Sequence, residues 1–300
     1  MVLEIAIQAY SREALWHLSS RVTADMLPFV GRPWRKDWVT VQFETEQQAQ
    51  EYAEAHDLAR LDTQHRAARI ALLHELLAEF PAGELLDAGC GPGVFARLLL
   101  ESPTYDYRIT MVDQSEAMIQ YCATHTNGDK VRTMVADIES LPFDDASFDV
   151  TISTGALEYT DANAAVRQLA RVTKPGGAVV VSMLNPFSPY WMTDWYLYRP
   201  IVRCLAWVMT LLGIRHKHYY GASHDGIRAL RSRALRRYMR QSGLIPTDVV
   251  YFGLTPLVRP FDRIAAVRHW SECHGGQLQS TRGWRRWMAT GYVIVAHRGG

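Results

Sequence analysis

The sequence is poor in cysteine and has almost no net charge. Its 300 residues include four cysteines, and 32 Lys and Arg nearly balance 31 Asp and Glu, for a formal net charge of +1. Because the cysteines form no CxxC pair and no tight spacing with histidine, neither a disulfide framework nor a zinc site is indicated, and a reducing cytoplasm is expected. The balanced charge provides no overall attraction to nucleic acid or to an anionic membrane.

Long apolar runs are also scarce. The N-terminal stretch MVLEIAIQAYSREALW has no basic region followed by an apolar core, so we expect no signal peptide. The most membrane-like segment, residues 195–213, is interrupted by Arg199, Pro200 and Arg203, whereas a bilayer span needs about 20 mainly apolar residues. We therefore expect a buried or interfacial helix there. With 48% hydrophobic and 21% charged residues, the composition is that of a globular protein and excludes a disordered chain.

Strand and helix patterns alternate through the middle of the chain. Helical tracts are predicted at 11–26 and at 46–80, the second as one helix or two, and a last helix is predicted at 225–242. The predicted strands lie at 84–88, 108–112, 131–136, 148–153, 178–183, 247–252 and 292–297. Strands at this spacing, separated by helices, indicate βαβ units and a mainly parallel sheet that binds ligands at the carboxyl ends of its strands. The turn signal KPGG at 174–177 is predicted to precede the fifth strand.

A glycine-rich turn, LLDAGCGPGVF at 85–95, follows the first predicted strand. Its glycines stand at alternate positions: Gly89, Gly91 and Gly93. A dinucleotide-binding loop has a small residue where Val94 stands, and Pro92 removes a backbone N–H that a pyrophosphate would need. Both residues argue against NAD(P) and FAD. A ligand that carries adenosine but no phosphate, such as S-adenosylmethionine, fits the loop better.

Carboxylates end the first three predicted strands. They are Asp87, Asp113 and Asp137, and the apolar Ile138 follows the last of them. S-adenosylmethionine carries a sulfonium cation, so nearby carboxylates are favourable, and Asp113 is placed where an acid accepts both ribose hydroxyls. An aspartate at the end of a strand can alternatively serve only to cap the next helix.

Four ordered blocks carry a resemblance to a known family. The acidic residue and glycines at 87–93, followed by MVDQSEAMI, VADIESLPFDDASFDVTIS and LARVTKPGGAVVVS, resemble a class I S-adenosylmethionine-dependent methyltransferase. By pattern the resemblance is to the small-molecule subgroup that includes the ubiquinone and menaquinone biosynthesis enzymes. It covers about residues 83–183 well and 225–252 loosely.

The resemblance implies an α/β fold. It is a Rossmann-like, mainly parallel seven-stranded sheet with helices on both faces, plus N-terminal helices and an aromatic helical insertion after the fifth strand. The implied organisation is an N-terminal helical cap at 1–82, a methyltransferase domain formed by 83–184 and 221–300, and an insertion or lid at 185–220.

The resemblance also implies roles for single residues. Asp87, Gly89 and Gly91 would line the methionine end of the cofactor, and Asp113 would hold the ribose with Gln114 beside it. Asp137 would bind the adenine amino group, with Ile138 packed on the ring. Ser153 and Thr154 would lie near the sulfonium and the acceptor. Cys90 is interpreted as a small apolar residue of the turn.

The general base does not carry over from the family. Where such enzymes often have a histidine after the fourth strand, this chain has Tyr159, and a phenol with an ordinary pKa of about 10 is a poor base at neutral pH. His216, His218 and His224 are the base candidates, and a solvated loop position is the alternative for each. The N-terminal helices and the aromatic insertion are expected to build a pocket for a hydrophobic or aromatic acceptor.

The favoured function is therefore S-adenosylmethionine-dependent methyl transfer to O, N or C of a small, partly hydrophobic metabolite. No tight histidine and carboxylate set suggests a metal. One alternative is a peptide or lipid-linked acceptor, docked by residues 195–213 through peripheral contact with a membrane surface. Another is a non-catalytic cofactor-binding module, against which the three intact aspartates argue. The arginine-rich stretch 228–240 is predicted to be a helix with solvated arginines, so nucleic acid is not the expected partner.

Overall fold

A seven-stranded sheet forms the centre of the computed structural model. The structure describes residues 45–56, 72–126, 128–198, 200–201, 204–205, 208, 228–254, 266, 269 and 284–299. The strands are β1 Ala82–Ala88, β2 Asp106–Asp113, β3 Val131–Val135, β4 Phe148–Thr154, β5 Thr173–Leu184, β6 Leu244–Leu254 and β7 Ala289–Arg298. Their order is β3-β2-β1-β4-β5-β7-β6. All pairs among β1 to β5 are parallel, and β7 is antiparallel to both of its neighbours. The predicted fold class is confirmed.

Helices cover both faces of this sheet. They are α1 Glu46–His56, α2 at 72–77, α3 Val94–Glu101, α4 Glu116–His125, α5 Ala162–Val172, α6 Pro189–Thr193 and α7 Ser232–Gln241. Leu85 of β1 belongs to the core formed with α2, α3 and α4, whereas its neighbour Leu86 belongs to the core formed with α5 and α7. Successive strand side chains point to opposite faces, so a central parallel strand needs the continuous apolar run that β1 has.

Side chains at the helix starts satisfy backbone donors. Ser115 accepts a hydrogen bond from the Met118 N–H at the start of α4, and Asp161 accepts two from backbone N–H groups at the start of α5. Before α1, Thr45 and Gln48 accept hydrogen bonds from each other's N–H groups. Such caps are each worth about 1 kcal/mol of helix stability. The cap before α1 places its start at the predicted position, Glu46.

The turn predicted before the fifth strand lies within β5 instead. Thr173 pairs with Phe148, and the next pair along the two strands is Ala178 with Val150. The four residues between Thr173 and Ala178 therefore bulge out opposite the single residue Asp149. The bulge is stabilised by Lys174, whose ammonium donates to both oxygens of that carboxylate at 2.9 and 3.0 Å. This ion pair across strands is a tertiary contact that the turn signal does not reveal.

The last predicted helix begins later than the sequence suggests. Residues 228–231 are not helical, and α7 begins at Ser232. The Arg228 N–H donates to the Glu158 carbonyl at 2.7 Å, and the Leu230 N–H lies 3.2 Å from the Met183 sulfur. These backbone donors use tertiary acceptors in place of a first helical turn. The prediction of a helical start at 225 was therefore wrong for 228–231.

Several predictions concern residues outside those the structure describes. The helix at 11–26, the middle of the 46–80 tract and most of the 195–213 segment are among them. Of the last segment, Trp195 is buried whereas Tyr196 and Leu197 are about half exposed. In the described part of the chain, no helix is long and apolar enough to cross a membrane.

The stability of the bulge in β5 depends on pH through the pKa of Asp149, the residue opposite the bulge. Burial raises it, but the Lys174 ammonium and the Glu84 N–H outweigh burial, and the pKa lies below its usual value of 3.8. We expect Asp149→Asn to lower the free energy of unfolding at pH 7 by less than about 1 kcal/mol, since both side chains are partly exposed.

A depressed carboxyl pKa contributes stability that is present above the unfolded-state pKa and lost as the pH falls through the folded-state value. The difference between wild type and Asp149→Asn should therefore be constant from pH 7 to 5 and shrink below pH 4. Urea midpoints at pH 7, 5 and 3 measure it. Asp145→Asn, at a more exposed ion pair with Arg171, is the matched control, and an equal loss in that variant would contradict the special role of Asp149.

Candidate active site

A cavity opens at the carboxyl ends of β1, β2, β3 and β4, where the parallel sheet was expected to bind its ligand. It holds about 1070 Å³ of empty space, the open solvent at its mouth included. Its walls are Tyr52, Leu73, Gly89, Cys90, Gly91, Pro92, Val94, Phe95, Asp113, Gln114, Met118, Ala136, Asp137, Ile138, Thr154, Gly155, Ala156, Tyr159 and Thr160. The cavity therefore joins the glycine loop to the ends of four strands.

The glycine loop forms the floor of the cavity because its backbone can approach its neighbours closely. The Gly89 N–H donates to the Val112 carbonyl at 2.8 Å, which ties the loop to the end of β2. Gly89 has a φ of +75°, and a Cβ placed there would lie 2.3 Å from the Ala156 Cβ. Only glycine satisfies both conditions at this position. The loop is thus held against the segment that follows β4.

Asp113 organises the two sides of this floor. One carboxylate oxygen accepts the Gly91 N–H at 2.9 Å and the other accepts the Ser115 N–H at 2.9 Å. Burial raises the pKa of Asp113 above its usual value, although the backbone donors act in the opposite direction. Each carboxylate oxygen can accept a second hydrogen bond, so holding the loop and binding a ribose hydroxyl are compatible roles. Gln114 lines the cavity beside it.

Asp137 and Ile138 form the next part of the wall. The Asp137 carboxylate accepts the Glu139 N–H at 3.0 Å, which fixes the turn after β3. The side chain of Ile138 is almost fully buried, and with Met118 it provides an apolar surface on which a flat ring can pack. The residues predicted to bind the ribose and the adenine therefore line one cavity together.

Two other predicted cofactor residues lie behind the wall. Asp87 is 1% exposed and Ser153 is fully buried, and neither lines the cavity. The Ser153 hydroxyl donates to the Ala88 carbonyl at 2.8 Å, so it joins β4 to the strand that leads into the glycine loop. The Ser153 hydroxyl therefore supports the loop from below, and contact with a cofactor stays a prediction for both residues.

Thr154, Tyr159 and Thr160 form the opposite side of the cavity. They precede, lie in and follow a single 3-10 turn, Leu157–Tyr159. The Glu158 carboxylate in this turn accepts the Leu184 N–H at 2.9 Å, which anchors the turn to the end of β5. Tyr159 thus lines the cavity, and a catalytic role for it stays a prediction. The candidate bases His216, His218 and His224 lie outside the described residues.

Some cavity residues have no recognisable signal in the sequence. Tyr52 of α1 and Leu73 of α2 reach the cavity from the N-terminal part of the chain, and Phe95 reaches it from α3. The sequence predicted that the N-terminal helices would contribute to the pocket, but it gave no means of selecting these residues. Their apolar side chains have the same helical spacing as core residues that face away from the site.

The Cys90 thiol also lines the cavity. Its sulfur and that of Cys122 approach the same Gly91 carbonyl, at 3.6 and 3.1 Å. The neighbouring Cys122 thiol and burial raise the pKa of Cys90 well above the usual value. Because a thiolate is the reactive form, this direction of the pKa fits the interpretation of Cys90 as a small residue of the turn.

The charges of the lining residues suit a cationic adenosine compound. Asp113 and Asp137 are carboxylates, and no Lys, Arg or His occurs among the described residues that line the cavity. Pro92 has no N–H to offer a phosphate. Such a wall repels the pyrophosphate of a dinucleotide and attracts a sulfonium, so the residues present fit S-adenosylmethionine.

Comparison with known families agrees with this geometry. Residues 86–181 match the family model described as "Methyltransferase domain". The match covers about a third of the chain, and over that segment the chain is similar to methyltransferase domains. The predicted resemblance to class I S-adenosylmethionine-dependent methyltransferases is confirmed, and with it S-adenosylmethionine as the cofactor of such domains.

The curated relatives match about a third to a half of the chain. The chain is 41% identical over 107 residues to a malonyl-[acyl-carrier protein] O-methyltransferase of Erwinia billingiae, which is 35% of this chain and 40% of that protein. It is 32% identical over 140 residues to the protein of the same name from Yersinia pestis, or 45% and 47% of the two chains. The chain thus spans less than half the length of these relatives.

Solved structures show the same fold over a larger part of the chain. An S-adenosylmethionine-dependent methyltransferase from Mesorhizobium loti has a TM-score of 0.52 at 21% identity, covering 77% of this chain and 98% of that one. A chain from the complex of the Haloferax volcanii Trm112 methyltransferase activator with its candidate methyltransferase has a TM-score of 0.53 at 18% identity, covering 90% and 100%. At these identities the likeness concerns the fold alone.

One prediction for this site concerns the role of the Asp113 carboxylate in cofactor binding. In Asp113→Asn one carboxylate oxygen becomes an amide that cannot accept a backbone N–H, and the charge is lost. We expect S-adenosylmethionine to bind at least about tenfold more weakly, the usual cost of a hydrogen bond to a charged group. Calorimetric titration measures the affinity. Asp129→Asn, on an exposed turn, is the control, and unchanged binding by Asp113→Asn would contradict the assigned role.

The second prediction concerns the close approach at Gly89. Gly89→Ala should lower both the melting temperature and the affinity for S-adenosylmethionine, because its Cβ would collide with that of Ala156. The double variant Gly89→Ala/Ala156→Gly should recover part of both losses, since the collision is removed but the left-handed backbone remains. Gly176→Ala is the matched control: it has a φ of +79° but no atom within 4 Å of the added Cβ, so about 1–2 kcal/mol of backbone strain is all it should cost. Absence of any recovery in the double variant would contradict the collision.

Proposed function

We propose that the chain is an S-adenosylmethionine-dependent methyltransferase that acts on O, N or C of a small, partly hydrophobic acceptor. The observation that carries this proposal is the cavity itself, in which Asp113 and Asp137 face an enclosed space with no lining cation among the described residues. The methyltransferase family match supports the same activity, as do the names of the curated relatives.

The chemistry requires little of the protein beyond alignment. S-adenosylmethionine supplies a methyl group activated by its sulfonium, and transfer proceeds by in-line displacement. Asp113 and Asp137 would hold the adenosine, and the glycine loop permits the close backbone approach that fixes the ligand's position. The wall from Thr154 to Thr160 would orient the acceptor on the other side. Holding two reactants in this geometry lowers the barrier without any covalent step on the protein.

The choice of acceptor atom depends on whether the described residues of the cavity wall offer a general base. On the acceptor side the described residues offer the Tyr159 phenol and the hydroxyls of Thr154 and Thr160. None of these groups ordinarily accepts a proton near pH 7. A carboxylate acceptor needs no base, because a carboxyl group with a pKa of about 4 is already ionised at neutral pH. The described residues therefore favour O-methylation of a carboxylate.

The curated relatives suggest one form of such an acceptor. A malonyl group bound to an acyl carrier protein carries a free carboxylate on a short chain, and O-methylation of it is what their names state. A carboxylate on a carrier-linked acyl group is therefore a second candidate beside a free small acid. For acceptors that must lose a proton, His216, His218 and His224 remain the candidate bases.

A direct assay tests the proposed function. The full chain is incubated with S-adenosylmethionine and with carboxylate, hydroxyl and amine acceptors of similar apolar character, and mass spectrometry detects the gain of one CH2 unit. Calorimetry with S-adenosylmethionine and with NAD is run beside it. Binding of NAD but not of S-adenosylmethionine would overturn the proposed activity, whereas methylation of the amine alone would overturn only the preference for carboxylates.

The pH dependence provides the matching prediction. For a carboxylate acceptor, kcat/KM should rise through the acceptor's pKa near 4 and stay constant from about pH 6 to 8. Tyr159→Phe should then change kcat by no more than about threefold, because no proton has to be removed. Tyr196→Phe, at an exposed tyrosine, is the control. A kcat/KM that keeps rising above pH 7, together with a large loss in Tyr159→Phe, would mean that Tyr159 takes part in proton transfer.

A further inference from the structure

The small net charge of the chain hides a strong separation of charge. Residues 1–184 contain 26 Asp and Glu but 15 Lys and Arg, whereas residues 185–300 contain 17 Lys and Arg but five Asp and Glu. The part that carries the cavity is therefore strongly acidic and the part that follows β5 is strongly basic. Asymmetry of this kind is typical of proteins that bind a polyanionic surface. The overall charge of +1 gave no hint of it.

Exposed aliphatic side chains follow β5 in the basic part. Leu197, Ile201, Leu205 and Val208 are 56%, 49%, 57% and 42% exposed, and residues 200, 201, 204, 205 and 208 are helical. Leu197 lies within the π-helix Asp194–Tyr198. In helical geometry, spacings of four, four and three residues bring side chains to the same face. We call these four residues the aliphatic stripe. Four exposed aliphatic residues in a row differ from the single ones that are ordinary on protein surfaces.

A cluster of arginines and aromatic rings lies at the edge of the sheet on which the cavity opens. The Arg231 guanidinium lies 4.9 Å from the centre of the Phe187 ring, and that ring packs edge-on against Trp287 at 5.1 Å. The Arg286 guanidinium lies 5.3 Å from the Trp287 ring. Phe187 follows the carboxyl end of β5 and Trp287 precedes the start of β7, which pairs with that end. This arginine and aromatic cluster therefore shares the edge of the sheet on which the cavity opens.

We propose that the aliphatic stripe and the arginine and aromatic cluster dock the protein on an anionic lipid surface. A helix with aliphatic residues on one face, placed in a basic segment, lies in the plane of the headgroups with its apolar face buried. Arginines are attracted to anionic headgroups, and Trp beside Arg is typical of the membrane interface. In residues 195–213 the charged residues are Arg199 and Arg203, so no carboxylate in that segment opposes the attraction.

A lipid surface explains these features better than the other polyanions. Nucleic acid is bound by basic grooves with aromatic stacking platforms, which leaves the aliphatic stripe without a role. An acidic protein would match the arginines, but its polar surface would leave the four aliphatic residues exposed to water or to charge. A lipid surface accepts both kinds of side chain at once. Docking through the arginine and aromatic cluster would then turn the cavity edge toward the lipid. This docking is a property separate from the proposed transfer reaction.

Vesicle flotation with the full chain tests the proposal. Wild type is mixed with phosphatidylcholine vesicles that contain either no phosphatidylglycerol or about one third of it. We expect flotation with the anionic vesicles and little with the neutral ones. The apolar variant Ile201→Ser/Leu205→Ser and the cationic variant Arg231→Gln/Arg286→Gln should each bind the anionic vesicles at least about tenfold more weakly. Added salt should weaken wild type more than the cationic variant.

Matched controls separate docking from folding and from the proposed reaction. Ile245→Ser removes an aliphatic residue that is 64% exposed at the opposite edge of the sheet, and Arg108→Gln/Arg132→Gln removes exposed charges of β2 and β3. Both should float like wild type. S-adenosylmethionine affinity and melting temperature should be unchanged in all of these variants.

Three results would overturn the proposal. They are absence of flotation by wild type, equal flotation with neutral and anionic vesicles, and equal loss in the controls. Binding of an acidic carrier protein or of RNA, without binding of vesicles, would count as absence of flotation by wild type. Failure of the chain to bind S-adenosylmethionine while flotation follows the expected pattern would overturn the methyltransferase proposal alone.

Discussion

The hydrogen bond from the Gly91 N–H to the Asp113 carboxylate joins the two structural parts on which the site depends. One part is the loop that leaves β1, and the other is the end of the neighbouring strand β2. At 2.9 Å, within a buried environment, this charge-assisted bond holds the loop in one position. The same carboxylate accepts the Ser115 N–H at the start of α4. A single side chain therefore determines where the loop, the strand end and the next helix meet.

Close packing and buried hydrogen bonds also fix the positions of the loop and of the segment after β4. Gly89 brings the loop within contact distance of Ala156, and the Ser153 hydroxyl holds β4 to the end of β1 from below. The segment after β4 is fixed in turn by the Glu158 carboxylate, which binds the backbone at the end of β5. The walls of the cavity are thus positioned by buried polar contacts that point away from it.

Electrostatics divides the molecule between two kinds of ligand. The acidic first part of the chain surrounds the cavity with carboxylates that suit a sulfonium compound. The basic part that follows β5 carries exposed arginines and aliphatic side chains suited to an anionic surface. Opposite charges on the two parts would allow one protein to hold a cationic cofactor and to approach the proposed anionic surface, whereas a uniformly charged chain would weaken one of the two interactions.

The strand alternation, the glycine turn and the three aspartates were enough to predict the sheet and the cofactor class. The periodicity of apolar residues records which face is buried, and a glycine with positive φ has few substitutes. The sequence also located Asp113, Asp137 and Ile138 on the cavity. Asp87 and Ser153 are buried and do not line the cavity, and their contact with a cofactor stays a prediction.

The start of α7, the bulge in β5 and the entry of Tyr52 and Leu73 into the cavity were decided by the tertiary structure. In each case the partner is distant in sequence: the Glu158 carbonyl for Arg228, Asp149 for Lys174, and the glycine loop for the N-terminal helices. The sequence by itself determined the fold class and the nature of the methyl donor, since both depend on local patterns along the strands. Only the tertiary structure decided which polar groups face the cavity, because that choice depends on contacts between elements that the chain brings together on folding.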